Sequence, residues 1–242
     1  MELVSGPRLL GGALVVTLVA TSACSSNPDP NVPDTVETAP PSTTSPAPAP
    51  TTASTTTSPL GDGLRRVAIV GDSVTVGSTE ALRNHIAGTV QIAARRGART
   101  TDMVAGADRL AAERPDVLVV NLGTNDEGCA TVGGCPDGYR PEADDVAAGL
   151  ARIVEPFDDA CRLGVTIAYN LEQPPMVNPA LDQMLAAGTI DGIVDWSTHR
   201  RDHEPDDEQW LVDLAGHVTP AGADALARLI AERIDEVCGD AI

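Results

Sequence analysis

The order of apolar and amphipathic segments in this 242-residue chain predicts an α/β domain with a parallel sheet covered on both faces. Two observations carry that expectation. Short runs of β-forming residues alternate with longer stretches of helical periodicity, and the connections between them are short. About 178 residues, from Arg65 onward, are available for this pattern, enough for one domain with a full core. No internal repeat is found.

Val67-Ala68-Ile69-Val70 reads as a buried strand ended by Gly71, and a helix is expected from about Val74 to His85. Val90 to Ala93 is a second strand. Thr101 to Glu113 follows as a helix, with Pro115 just beyond it. Val117 to Val120 forms a third strand, running into Asn121-Leu122-Gly123. From about Pro141 to Arg162 the apolar residues Val146, Leu150, Ile153, Phe157 and Cys161 recur at helical steps, predicting one long helix with a buried stripe. Val165 to Tyr169 is read as a fourth strand, and Ile193-Val194 lies in a fifth. Asn178-Pro179 and Thr219-Pro220 each look like a cap followed by Pro at the first helical position. The first opens a short helix to about Ala187. The second opens a last helix with Leu226, Ile230, Ile234 and Cys238 on its buried face.

The formal net charge is −19, and residues 65–242 carry 30 Asp and Glu against 15 Arg, leaving −15. Nucleic acid and anionic lipid surfaces need a basic footprint, so this composition argues against both as partners of the domain. There is no Lys.

Residues 1–23 have a short start with Arg8 and an apolar run from Leu9 to Ala20, too short for a confident membrane span and flanked as in a signal peptide. The run ends in Thr21-Ser22-Ala23-Cys24, which resembles a bacterial lipobox with Thr21 where Leu is usual. Acylation of Cys24 is therefore expected, with plain cleavage after Ala23 as the alternative. Residues 24–63 join that terminus to the domain, which spans residues 64–242. The segment is dominated by Pro, Thr, Ser and Ala and lacks the apolar side chains that offset chain entropy, so it reads as an extended linker. With Cys24 set aside, Cys129, Cys135, Cys161 and Cys238 remain. An even number in an exported chain points to disulfides, for which three pairings exist. Cys129–Cys135 would close a small Gly-rich loop. Cys161–Cys238 would then join the ends of two predicted helices, which requires those helices to share a face of the sheet. No CxxC or His-rich spacing suggests zinc, and no metal or cofactor is expected.

In an open α/β sheet the site forms beyond the carboxyl ends of the strands. There the first strand delivers Gly71-Asp72-Ser73, the second Arg96-Gly97-Ala98, and the third Gly123-Thr124-Asn125-Asp126, while His217 precedes the cap of the last helix. Ser73, between a strand and a helix start, sits where the helix dipole favours negative charge. A neutral hydroxyl needs a base to become a nucleophile, and an imidazole, titrating at about 6.5 in water, serves. Taken singly, Ser73 reads as a helix cap, Asn125 as a turn residue and His217 as a surface residue. Asp72 and Asp126 read as hydrogen bonders that fix loops.

These four segments, in this order, resemble the SGNH or GDSL hydrolase family. The resemblance covers roughly Arg65 to Gly239 and includes His217-Val218-Thr219-Pro220-Ala221-Gly222. It implies a three-layer α/β/α, flavodoxin-like fold with a five-stranded parallel sheet and ester hydrolysis through an acyl-enzyme. Ser73 would be the nucleophile and His217 the base, with the Ser73 and Gly97 N–H groups and the Asn125 amide as the oxyanion hole. The family places Asp three residues before His, but Leu214 occupies that position here. Asp213 lies four before, and the additional Gly216 allows a wider turn that brings Asp213 onto the imidazole. A backbone carbonyl, Asp206 or Asp207 are the alternatives.

The expected function is thus that of an exported, lipid-anchored serine esterase, monomeric, acting on small acyl esters or O-acylated envelope glycans at the outer face of the membrane. An acyltransferase with the same site and a non-catalytic envelope-binding protein are the alternatives. The domain's only aromatics are Tyr139, Phe157, Tyr169, Trp196 and Trp210, too few for a broad sugar-stacking platform. Trp210 is expected either to line the pocket or to anchor the core, and the Cys129–Cys135 loop to rim the cleft. His199 and His203, among many charges, are read as part of a solvated loop, and His85 as a helix-surface residue.

Overall fold

The computed structural model describes residues 64–131, 134–168, 176–213 and 216–239. The signal peptide, Cys24 and the linker lie outside the described residues. Five parallel strands form one sheet in the order β2-β1-β3-β4-β5: β1 Arg66–Gly71, β2 Thr89–Ala94, β3 Val117–Asn121, β4 Cys161–Val165 and β5 Gly192–Val194. The central strands are apolar throughout because both of their faces are covered. Val67 and Ile69 of β1, with Val117 and Val119 of β3, pack under helices α1 Ser73–His85 and α7 Pro220–Cys238. Ala68, Val70, Leu118 and Val120 point the other way, under α2 Val104–Ala112, α4 Ala143–Val154 and α5 Val177–Ala186. The described residues hold two further helices, α3 Thr124–Thr131 and α6 Trp196–His203.

The register brings the functional loops together. Gly71 at the end of β1 pairs with Ala94 of β2 on one side and Asn121 of β3 on the other. Three segments therefore leave the sheet side by side. The order 2-1-3-4-5 reverses between β1 and β3, the position where such sheets open a crevice.

Several sequence expectations are corrected. The long helix expected to Arg162 ends at Val154, and a 3-10 turn, Glu155–Phe157, holds Pro156. Cys161 then opens β4, paired with Val117, so the fourth strand runs Cys161–Val165 instead of 165–169. Of that expected span, Tyr169 lies outside the described residues. Cys161 is thus in the sheet, under α7, and its bridge to Cys238 joins a strand to the helix covering it. The second bridge, Cys129–Cys135, starts within α3, a helix that the Gly-rich sequence did not announce. The helix expected from Thr101 begins as a 3-10 turn, Thr100–Met103. Asn178 does not cap α5: it sits inside the helix and clamps the end of β4, accepting from the Ile167 N–H and donating to its carbonyl. The charged loop around His199 is helix α6, capped by Asp195, whose Oδ1 accepts from the Thr198 N–H. Buried Trp196 anchors it, with stacked rings running Trp196, Trp210, His199 and His203. Burial and the neighbouring His203 push the His199 imidazole below its ordinary value. Trp210, 7% exposed, belongs to this core. His85 is half-buried, its Nε2 at 2.5 Å from Asp224 of α7.

Candidate active site

Ser73 is the first residue of α1, and the cap is Asp72, whose Oδ1 accepts the Val74 N–H at 3.0 Å. The division of labour has a consequence: with Asp72 capping the helix, the Ser73 hydroxyl is left to another partner. That partner is His217, Nε2 to Oγ 2.9 Å. The Ser73 N–H belongs to the helix's first turn, whose donors have no intrahelical acceptor. Asp72 is fully buried, and burial pushes its carboxyl up to about 6, although the Val74 N–H, Thr124 and the nearby His217 pull it down.

His217 is presented by a small hairpin. Leu211 and Val218 form an antiparallel bridge, the Val212 N–H donates to the His217 carbonyl at 2.7 Å, and the Thr219 N–H donates to that of Trp210. Asp213 enters the turn and accepts twice from the same residue, from the His217 N–H at Oδ1 (3.2 Å) and from Nδ1 at Oδ2 (2.7 Å). Gly216, at φ +79°, donates its N–H to the Asp213 carbonyl and takes up the additional residue in a conformation that side chains resist. The shifted acid therefore reaches the ring. Both side chains remain open to water, 40% exposed for His217 and 45% for Asp213.

Asn125, early in α3, donates its amide to the Ala98 carbonyl at 2.8 Å, which leaves the second amide hydrogen available. Gly97, the preceding residue, is exposed at φ +70°, and a Cβ there would meet nothing. Its glycine answers to backbone conformation, not to crowding. The loop is tied to β1 by the Arg95 N–H on the Gly71 carbonyl. Asp126, buried, ties this loop to its neighbours, as its reading as a loop-fixing residue implied. It accepts from the Thr100 N–H (2.9 Å), the Thr100 hydroxyl (3.1 Å) and the Tyr139 hydroxyl (2.7 Å). Tyr139 was not foreseen. The only signal was an aromatic with a polar tip four residues after Cys135, in a chain with few aromatics.

Among the described residues, no group of three or more His, Cys, Asp or Glu is placed to hold a metal. Glu127, beside Asp126, accepts the Met176 N–H at 2.6 Å, and burial pushes its carboxyl up.

No protein-family model and no curated protein matches the chain. Solved structures do. A lipase/acylhydrolase from Enterococcus faecalis is similar with a TM-score of 0.57 at 18% identity, over 71% of this chain and 96% of that one. A putative GDSL-like lipase from Parabacteroides merdae gives 0.55 at 12% identity, over 73% and 97%. An acetylxylan esterase from Geobacillus stearothermophilus gives 0.54 at 18% identity, over 70% and 94%. With its single parallel sheet between two helical layers, the chain has the α/β/α fold of the GDSL, or SGNH, hydrolases.

Proposed function

We propose that the protein is a serine esterase that hydrolyses small acyl esters through an acyl-enzyme. The observation that carries this reading is the continuous chain Ser73 Oγ, His217 Nε2, His217 Nδ1, Asp213 Oδ2, with links of 2.9 and 2.7 Å, set at a helix N-terminus. With Asp213 holding the proton on Nδ1, the Nε2 lone pair faces the Ser73 hydroxyl. Ser73 Oγ attacks the acyl carbon as Nε2 takes its proton. The oxyanion is met by the N–H groups of Ser73 and Gly97 and the free Asn125 amide hydrogen. The C–O bond to the alcohol breaks, and the imidazolium protonates the leaving oxygen. Water, deprotonated by the same imidazole, then frees the acid and restores Ser73.

O-acylated glycans of the cell envelope are the proposed substrate. The reading rests on the predicted export signal and on the acetylxylan esterase among the structures of the same fold. Two disulfides suit an oxidising compartment. Attachment to the membrane is assigned to acylated Cys24, on the lipobox-like Thr21-Ser22-Ala23-Cys24.

The test is the rate of the purified protein on p-nitrophenyl acetate and on an acetylated xylo-oligosaccharide, beside Ser73→Ala. Equal rates for the two proteins would leave a binding protein on a hydrolase scaffold. Mass spectrometry of the mature N-terminus decides the anchor, and an unmodified Cys24 removes it.

A further inference from the structure

We infer that Tyr139 is a positioning residue for the Asn125 amide and that the Cys129–Cys135 disulfide is what holds it there. The inference rests on the esterase reading above and extends it to residues outside the four motif segments.

The structural basis is a closed circuit. Asn125 and Asp126 open α3, and Cys129 lies in the same helix. The disulfide links Cys129 to Cys135, and from Cys135 a tight turn leads back toward the start of α3. Within the turn the Gly138 N–H donates to the Cys135 carbonyl and the Cys135 N–H to the Tyr139 carbonyl. Tyr139 then closes the circuit through its hydroxyl on Asp126 Oδ1 at 2.7 Å. Asp126 is 0% exposed and its other two bonds go to Thr100, in the turn that follows Gly97 and Ala98. The Tyr139 ring is itself fixed. The Arg99 guanidinium lies 4.5 Å over its centroid and is paired with Asp137 at 2.8 Å, and Asp137 also accepts the Tyr139 N–H. Burial and Asp126 keep the phenol protonated, so it remains a donor.

Two of the three oxyanion donors thus sit on segments that meet at one buried carboxylate. A buried carboxylate with its acceptors filled holds one geometry, and one that has lost a donor seeks another. Without the Tyr139 hydroxyl, Asp126 turns toward Thr100 or toward water. The adjacent Asn125 amide then shifts against the place where the oxyanion forms. Donors there act only when correctly aimed in advance.

The experiment is a double-mutant cycle on p-nitrophenyl acetate with Tyr139→Phe, Asn125→Ala and the pair. Asn125→Ala is expected to lower kcat by roughly 10²–10³-fold. Tyr139→Phe should lower it by about 10-fold with KM changed less than about twofold, and the double variant should be no slower than Asn125→Ala within about threefold. A merely structural role predicts losses that multiply, and that outcome, or an unchanged kcat in Tyr139→Phe, overturns the inference. Should Tyr139→Phe fail to fold, Cys129→Ser/Cys135→Ser takes its place in the cycle with the same expectations. A wild-type protein no faster than Ser73→Ala overturns the esterase reading instead. The position of the amide is then read from the Asn125 side-chain resonances in a ¹H–¹⁵N spectrum. Resonances unmoved by Tyr139→Phe overturn the inference, and displaced ones uphold it.

Discussion

Asp213 is open to water, and that sets how much its removal should cost. In the proposed mechanism an imidazolium forms, as Nε2 takes the Ser73 proton, against the Asp213 carboxylate 2.7 Å from Nδ1. Charge centres about 4 Å apart attract by about 1 kcal/mol in water and about 4 kcal/mol near a protein surface. With both side chains about two-fifths exposed, screening keeps the value near the middle of that range. Asp213→Ala is therefore expected to lower kcat by roughly 10- to 100-fold, with KM little changed. A buried acid in the same role is worth about 10⁴.

Two controls test the role of the charge. Asp213→Asn removes the charge but keeps one oxygen for the two His217 donors, and turning its NH2 to Nδ1 would put the ring proton on Nε2, so it should be at least as slow as Asp213→Ala. At 1 M salt the Debye length is about 3 Å, so the gap between wild type and Asp213→Ala should narrow. The assay is kcat on p-nitrophenyl acetate at low and high salt. A loss beyond about 10⁴-fold, insensitive to salt, would mean that the charge acts in a dry site and the exposure argument is wrong. A loss under twofold would remove Asp213 from the mechanism.

Three further outcomes follow from the same geometry. The buried Asp72 carboxyl titrates at about 6 when folded and at about 3.8 in a free chain, so the folded state binds the proton more tightly and stability falls as pH rises from about 4 through 6. Asp72→Asn, which still caps α1, should gain up to about 3 kcal/mol at pH 7 and nothing at pH 4 in urea unfolding, and an equal gain at both would refute this. Gly149→Ala, a favourable change in most helices, should destabilise by about 1–3 kcal/mol, because its Cβ would fall 2.4 Å from Thr100 Oγ1 in the buried turn that bonds Asp126; a raised melting temperature would refute this. Gly216→Ala forces φ +79° on a side chain at a cost of about 1–2 kcal/mol. If the hairpin relaxes by parting Asp213 from His217, kcat falls, and adding Asp213→Ala lowers it no further; full additivity in that double variant would refute the coupling.

What the sequence disclosed follows the range of the forces involved. β1 and β3 were legible because burial on both faces writes unbroken apolar runs. α7 was legible because Thr219, Pro220 and the stripe from Leu226 to Cys238 are local signals. Ser73, Gly97, Asn125 and His217 could be picked out as candidates because each follows its strand or precedes its helix. The start of β4 was misread because Ile153, Phe157 and Cys161 keep a four-residue step across Pro156, where the chain in fact leaves the helix. α6 was hidden because only Trp196 among its eight residues is buried, and its anchor is a ring stack reaching Trp210. Tyr139 had no local pattern at all. Its place depends on a disulfide and on a carboxylate thirteen residues earlier.

The displaced acid shows why spacing is a poor invariant for such a site. The chemistry requires a carboxylate on Nδ1 while Nε2 faces Ser73, and the hairpin meets both conditions from its two ends. The Leu211–Val218 bridge and the Val212–His217 bond fix the far strand of the loop, and with it the imidazole. Asp213 is the first residue past that ladder, which sets its side chain beside His217, and the Gly216 N–H returns to the Asp213 carbonyl at positive φ. The carboxylate then holds the backbone and the ring of the same histidine at once. A three-residue spacing is one solution of this geometry and Asp-Leu-Ala-Gly-His is another.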